Sequence, residues 1–310
     1  MIKSNVLFLL IIFLLFSTIY LSNNEYVRCS TLGDKLFDDI LGLEFGNQKC
    51  REFVKKNEKT ETNNTNARKY PKENRYSILE AKKEKVCPSN SDVIVVLGQS
   101  NSANHLIYDD YKKNDHLNYF NGNCYSLTDP VLGATGENQS IVPALSSKIL
   151  TNKPIIFLTN GWSATSITEW SHEDSELTSY ANKNILEIAK KNNLKYIIWI
   201  QGESDRNKNI DYKDHFLKFK KLLLKNLTKE KKEHIKFIIT QTSICRDNRD
   251  IKLNKHQKNL GKMKNFYTTE VTDNLDINYR YDGCHFNKFG VELITEEISK
   301  IINSNLDIKL

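Results

Sequence analysis

The run Asp92-Val93-Ile94-Val95-Val96-Leu97, followed at once by Gly98-Gln99-Ser100-Asn101-Ser102, decides the fold. A short, β-branched run without alternation reads as a strand buried on both faces, and that is how strands of a parallel sheet read. Four more runs of the same kind follow, at Pro154 to Leu158, Lys195 to Ile200, His234 to Thr240 and, more weakly, Phe266 to Val271. Between them lie stretches with helical periodicity. Glu176 to Lys191 places Leu177, Tyr180, Ile185 and Ile188 on one side, Tyr212 to Leu227 carries Phe216, Phe219, Leu223 and Leu227, and Val291 to Ile302 repeats isoleucine at helical spacing. Strand alternating with helix predicts a parallel sheet with right-handed crossovers. The expected fold class is α/β, a flavodoxin-like three-layer α/β/α sandwich with a five-stranded parallel sheet. Ligands of such sheets bind beyond the carboxyl ends of the strands, so the residues after each strand are where chemistry is to be sought.

Outward from this body the texture changes. Val6 to Leu21 is almost wholly apolar behind a short start with one lysine, the pattern that export machinery reads. Residues 1–24 are therefore expected to be a signal peptide or an N-terminal membrane anchor; the run is slightly shorter than the roughly 20 residues that span a bilayer, and no small-residue cleavage site decides between the two. Residues 25–90 are expected to be a polar, partly disordered lead-in, with 13 basic and 10 acidic residues between 31 and 90. The main body is then 91–310. The chain's net charge of +7 divides into +1 for residues 1–30, +3 for 31–90 and +3 for the remaining 220. The body is close to neutral, and without a basic face interleaved with aromatics nucleic-acid binding is not expected.

The six cysteines, Cys29, Cys50, Cys87, Cys124, Cys245 and Cys284, show no metal-ligand spacing, and neither a metal site nor a cofactor is expected. In an exported chain some of them should pair. Sequons at Asn63, Asn138 and Asn226 are unsurprising in so asparagine-rich a chain.

Each expected strand end carries polar residues. Ser100 follows the first strand across a glycine bend, where a nucleophile is well placed, although serine is also a common helix cap. The second strand leads into Asn160-Gly161-Trp162-Ser163-Ala164-Thr165-Ser166-Ile167-Thr168-Glu169-Trp170, whose indoles are as well suited to filling the core as to stacking on a sugar. The third ends in Trp199-Ile200-Gln201-Gly202-Glu203-Ser204-Asp205, an amide and two carboxylates that must be hydrogen-bonded or used. Before the last helix, Asp282 and His285 sit three apart on one turn, close enough for the carboxylate to take one ring nitrogen and leave the other as a base.

Taken in order, Gly98-Gln99-Ser100-Asn101, Thr165-Ser166-Ile167 with Trp170, Trp199 through Asp205, and Asp282-Gly283-Cys284-His285 resemble the motifs of the SGNH hydrolases. Within them the set is similar to the sialic-acid-specific acetylesterase branch, which includes carbohydrate acetylesterases. The resemblance spans about Ser91 to Leu306. It implies Ser100 as nucleophile, His285 as general base and Asp282 as its orienting carboxylate. It also implies an oxyanion hole made of the Ser100 N–H, the Gln201 side-chain amide and the Ala164 N–H. The family usually has two glycines where this chain has Ser163 and Ala164, and the Ala164 donor survives only if that backbone conformation tolerates a side chain. Gln99, Asn101, Trp170 and Glu203 are implied as substrate or loop support, with Glu203 hydrogen-bonding among the loops. His105 and His172 complete no motif and read as loop histidines.

The implied activity is hydrolysis of O-acetyl esters on a carbohydrate by an exported serine esterase. A lipase or thioesterase of the same superfamily, with a longer acyl pocket, is a neighbouring reading. A silent carbohydrate-binding surface protein on the same fold is a more distant one, and it would be expected to lack a triad member. Cys284 lies in the Asp282–His285 turn and Cys245 follows the fourth strand, so a disulfide bracing the His285 loop is expected. Cys50 with Cys87 is a second expected pair, tying the lead-in to the body.

Overall fold

A computed structural model describes residues 82–108, 111–112, 114–246, 249–275 and 277–305, all within the unit that spans residues 69–310. The expected export segment, most of the lead-in, Cys29, Cys50 and Asn63 lie outside the described residues. Among the described residues no helix is long and apolar enough to cross a membrane.

The strands are β1 (Glu84–Lys85), β2 (Asp92–Gly98), β3 (Leu117–Phe120), β4 (Asn123–Ser126), β5 (Ile156–Gly161), β6 (Asn193–Ile200), β7 (Lys236–Gln241) and β8 (Phe266–Val271). They form one eight-stranded sheet in the order β1-β4-β3-β5-β2-β6-β7-β8. From β3 to β8 all neighbours are parallel, and only β1 and β4 add antiparallel pairs at one edge. All five expected strands are present, and β1, β3 and β4 correct the expected count. The β3–β4 hairpin turns at Asn121 and Gly122, both with positive φ (48° and 95°), a conformation that suits the twist of a tight hairpin.

The expected start of the body at residue 91 also falls short. Glu84–Lys85 pairs with β4, the Lys82 ammonium donates to the Thr128 carbonyl at 2.7 Å, and Cys87 is disulfide-bonded to Cys124, not to Cys50. The physical reason is local: β4 offers the lead-in an unpaired edge and a cysteine, both invisible until the hairpin is recognised.

The helices are α1 (Ile141–Ser146), α2 (Ile167–Trp170), α3 (Glu176–Ile188), α4 (Tyr212–Leu223), α5 (Lys229–His234), α6 (Ile251–Leu260) and α7 (Lys288–Asn303). Side chains of β2 alternate between two cores. Val93, Val95 and Leu97 join Leu177, Ile185, Phe216, Phe219 and Leu253 on one face, while Ile94 and Val96 join Leu145, Val291, Ile294 and Ile298 on the other. Burial on both sides is why β2 reads as an unbroken apolar run. The result is the expected three-layer sandwich.

At the end of β2 the chain passes close under β6. Gly98 has φ +135°, and a Cβ there would lie 2.0 Å from the Ile200 carbonyl oxygen, which accepts the Gln99 N–H at 3.0 Å. Only glycine lets the strand bend into the Ser100 turn without pushing β6 aside. Gly98→Ala should therefore cost about 2–4 kcal/mol, from backbone strain plus overpacking. Denaturant unfolding checks this, and an unchanged midpoint would contradict it.

Candidate active site

Beyond Gly98 the chain makes a single 3-10 turn, Ser100–Ser102, at the carboxyl edge of the sheet. Gln99 is buried and turned inward, its Oε1 accepting from the Ser204 N–H at 3.1 Å and, more weakly, from the Gly202 N–H at 3.4 Å. Neither the hydroxyl nor the peptide N–H of Ser100 has a hydrogen-bond partner among the described residues. Asn101, fully buried, reaches in two directions. Its Nδ2 donates to Glu203 Oε1 at 2.6 Å and to the Cys284 carbonyl at 3.2 Å, and its Oδ1 accepts the Phe286 N–H at 3.1 Å. The residue after Ser100 thus grips the chain on both sides of His285.

The His285 loop is held from within as well. Asp282 Oδ1 accepts the N–H groups of Cys284 at 2.9 Å and His285 at 2.7 Å, while its Oδ2 lies 2.7 Å from His285 Nδ1. A carboxylate on Nδ1 fixes the tautomer and leaves Nε2 as the basic nitrogen. Burial by itself would raise the Asp282 pKa, but the His285 side-chain hydrogen bond and charge, with the two backbone donors, outweigh it and bring it down to about 2. The rings of His105 and Tyr281 flank the His285 imidazole, at centroid distances of 5.5 and 5.9 Å. The expected Cys245–Cys284 disulfide is present and ties this loop to the segment that follows β7.

The end of β6 departs from expectation at Gln201. Its side chain is fully buried, and Nε2 donates to Asp205 Oδ2 at 2.6 Å and to the Thr165 carbonyl at 3.1 Å, with Gln99 Oε1 3.3 Å away. Its Oε1 accepts from the Tyr212 hydroxyl at 2.8 Å. Both amide protons are committed to strong acceptors beneath the site, so Gln201 braces the floor and does not face an oxyanion. Asp205 also caps α2 through the Ile167 N–H at 2.6 Å. Glu203 is buried, and desolvation raises its pKa although Asn101 and the Arg280 charge pull the other way. It accepts from Asn101 and from the Thr242 hydroxyl at 3.2 Å, a bracing position within the loops.

Trp170 fills the core beneath the loop after β5. It is fully buried, crosses Trp199 edge to face at 5.3 Å, and donates its N–H to the Thr165 hydroxyl at 2.9 Å. No sugar reaches that face, because Trp199 and Phe219 already occupy it. Trp162 is likewise buried, at 7% exposure. Ala164 is exposed with φ +56°, so the loop keeps the left-handed conformation that glycine favours, at a cost of about 1–2 kcal/mol for a residue with a Cβ.

Sequence reasoning missed Arg280 and Tyr281 and set His105 aside. Nothing in Asn278-Tyr279-Arg280-Tyr281 forms a motif; the one available signal was proximity to Asp282. Among the described residues no cluster of three His, Cys, Asp or Glu side chains is arranged to hold a metal ion. What the arrangement offers chemically is a serine hydroxyl without an internal partner, at the same sheet edge as an imidazole oriented by a carboxylate.

Residues 141–301 match the model of a family described as carbohydrate esterase, sialic acid-specific acetylesterase. Among solved structures, a protein from Arabidopsis thaliana aligns with 17% identity and a TM-score of 0.56 over 70% of this chain and 99% of its own, a shared fold. NanS aligns with 13% identity and a TM-score of 0.45 over 71% of this chain and 98% of its own. No curated protein matches the chain.

The Asp282 carboxyl is depressed in the folded protein, so the stability it confers is present above its unfolded value of 3.8 and lost as pH falls towards about 2. The stability gap between wild type and Asp282→Asn should be on the order of 2 kcal/mol near neutrality and should close between those two values. Urea unfolding at a series of pH values checks this, and a gap that stays constant through the acid range would contradict it.

Proposed function

This chain belongs to the sialic acid-specific acetylesterase family of carbohydrate esterases, and from that premise we propose that it is an exported serine esterase that removes O-acetyl groups from a carbohydrate. Ser100 is the nucleophile, His285 the general base and Asp282 the carboxylate that orients it. The observation that carries the reading is the 2.7 Å contact between Asp282 and His285 Nδ1, on a loop that Asn101 fastens to the Ser100 turn. Asn101, next to Ser100 in the chain, holds the peptides on both sides of His285, which supports placing the hydroxyl and the imidazole at one edge of the sheet.

In the first half-reaction His285 Nε2 takes the Ser100 proton while the serine oxygen bonds to the acetyl carbon. The carbonyl electron pair moves onto oxygen, and the tetrahedral oxyanion is stabilised by preorganised N–H donors. The Ser100 N–H serves as one, and the Ala164 N–H, on a turn that keeps its left-handed conformation, serves as another. Collapse breaks the bond to the sugar oxygen, which leaves with the proton from His285. Water, deprotonated by the same imidazole, then attacks the acetyl-enzyme, releasing acetate and restoring the Ser100 hydroxyl.

Export is supported by the apolar run from Val6 to Leu21 and by the two disulfides, which persist in oxidising compartments. The acetylated carbohydrate is the partner, approaching from the edge that carries Ser100 and His285.

The test is acetate release from O-acetylated sialic acid, acetylated xylan and an aryl acetate. Wild-type protein should act on at least one sugar ester, and Ser100→Ala should lower the rate by about 10³-fold or more. Undiminished turnover by Ser100→Ala would remove the reading.

A further inference from the structure

Arg280 is buried, with 4% of its surface exposed, although none of the steps above uses a cation at that position. Its donors are divided. Nη1 donates to the Cys284 carbonyl at 2.7 Å, while Nη2 lies 3.5 Å from the Thr272 carbonyl and 3.7 Å from Asp273 Oδ1. The guanidinium also stacks 4.4 Å from the centroid of the Phe286 ring. A planar fork with charge at both ends is the group that spans such a gap, and a lysine ammonium is not equivalent to it.

What Arg280 grips is the peptide that enters His285. The carbonyl of that peptide takes both Arg280 and Asn101, and its N–H donates to Asp282 Oδ1 at 2.7 Å. The peptide that leaves His285 has its N–H on Asn101 Oδ1. Both planes around the His285 Cα are therefore fixed, and of the holders outside the loop Arg280 makes the shorter, charge-assisted bond. At its other end Asp273 accepts the N–H groups of Ser243 at 2.9 Å and Ile244 at 3.0 Å, the residues leading into Cys245. The disulfide and the Arg280–Asp273 pair thus link the same two segments in parallel.

We propose that Arg280 is a positioning residue for the general base: by holding the Cys284 carbonyl it sets the reach of His285 towards Ser100. The inference rests on the serine-esterase reading given under Proposed function. Arg280 touches neither Ser100 nor the Asp282–His285 contact, so its removal should disturb chemistry more than substrate binding. Misplacement of a catalytic group by about an ångström costs up to about 10²-fold.

The experiment compares wild type with Arg280→Lys, which keeps a cation beside the buried Asp273, and Arg280→Gln, which keeps a donor but leaves that carboxylate without a cation. Kinetics on an aryl acetate are paired with proton NMR of the low-field imidazole proton shared by His285 and Asp282. Arg280→Lys should retain cooperative melting and a KM within about twofold, with kcat about 10- to 100-fold lower and the shared proton broadened by exchange. Arg280→Gln, which keeps a donor without the charge, should behave similarly. Wild-type kcat and a sharp proton in a folded Arg280→Lys would overturn the proposal, as would a fall in kcat matched by the loss of folded protein. A wild type that hydrolyses no ester defeats the esterase reading, and the NMR comparison alone then decides whether Arg280 orders His285.

Discussion

The carboxyl edge of the sheet is organised around one buried amide, Asn101. Its three hydrogen bonds join the end of β2 to Glu203 beyond β6 and to the His285 loop before α7. An amide in this setting is costly if any partner is missing, because nothing but protein surrounds it. That cost makes the arrangement close to all-or-none: the Ser100 turn, the Glu203 turn and the His285 loop are each in place only when the other two are. Gly98 permits the geometry by letting β2 bend beneath Ile200 before the asparagine arrives.

Around this amide lie two kinds of support. Below the site, Gln201, Asp205, Tyr212 and Thr165 form a satisfied polar floor. Beside it, Arg280, Asp273 and the Cys245–Cys284 bond restrain the loop that carries the imidazole. Burial leaves little freedom to either; the tip of the loop after β5, where Ala164 accepts a strained backbone, is exposed.

Much of this was legible in the sequence, and the limits are physical. The five central strands could be read because burial on both faces demands an unbroken apolar run, as in Val93 to Leu97. Leu117–Phe120 and Asn123–Ser126 escaped because four-residue strands are too short to show a period, although Asn121-Gly122 between them was a turn signal open to reading. Ser100, Asp282 and His285 were singled out as candidates by position and motif order together, and the Cys245–Cys284 pair, which the structure contains, by its place at the same rim. The partner of Cys87 depended on that unrecognised hairpin. Gln201 was misassigned because a sequence shows that a donor exists but not which acceptor holds it; here Asp205, four residues on, holds it. Arg280 carried no motif, and its role depends on a carbonyl, a group every residue possesses.

On the proposed mechanism the Ser100 hydroxyl oxygen takes the acyl group, activated through His285. The most direct measurement is peptide mapping by mass spectrometry after treatment with a serine-directed fluorophosphonate. A single modification at Ser100 is expected, formed quickly in wild type and far more slowly in His285→Ala. Label on another residue, or equal rates in the two proteins, would contradict it.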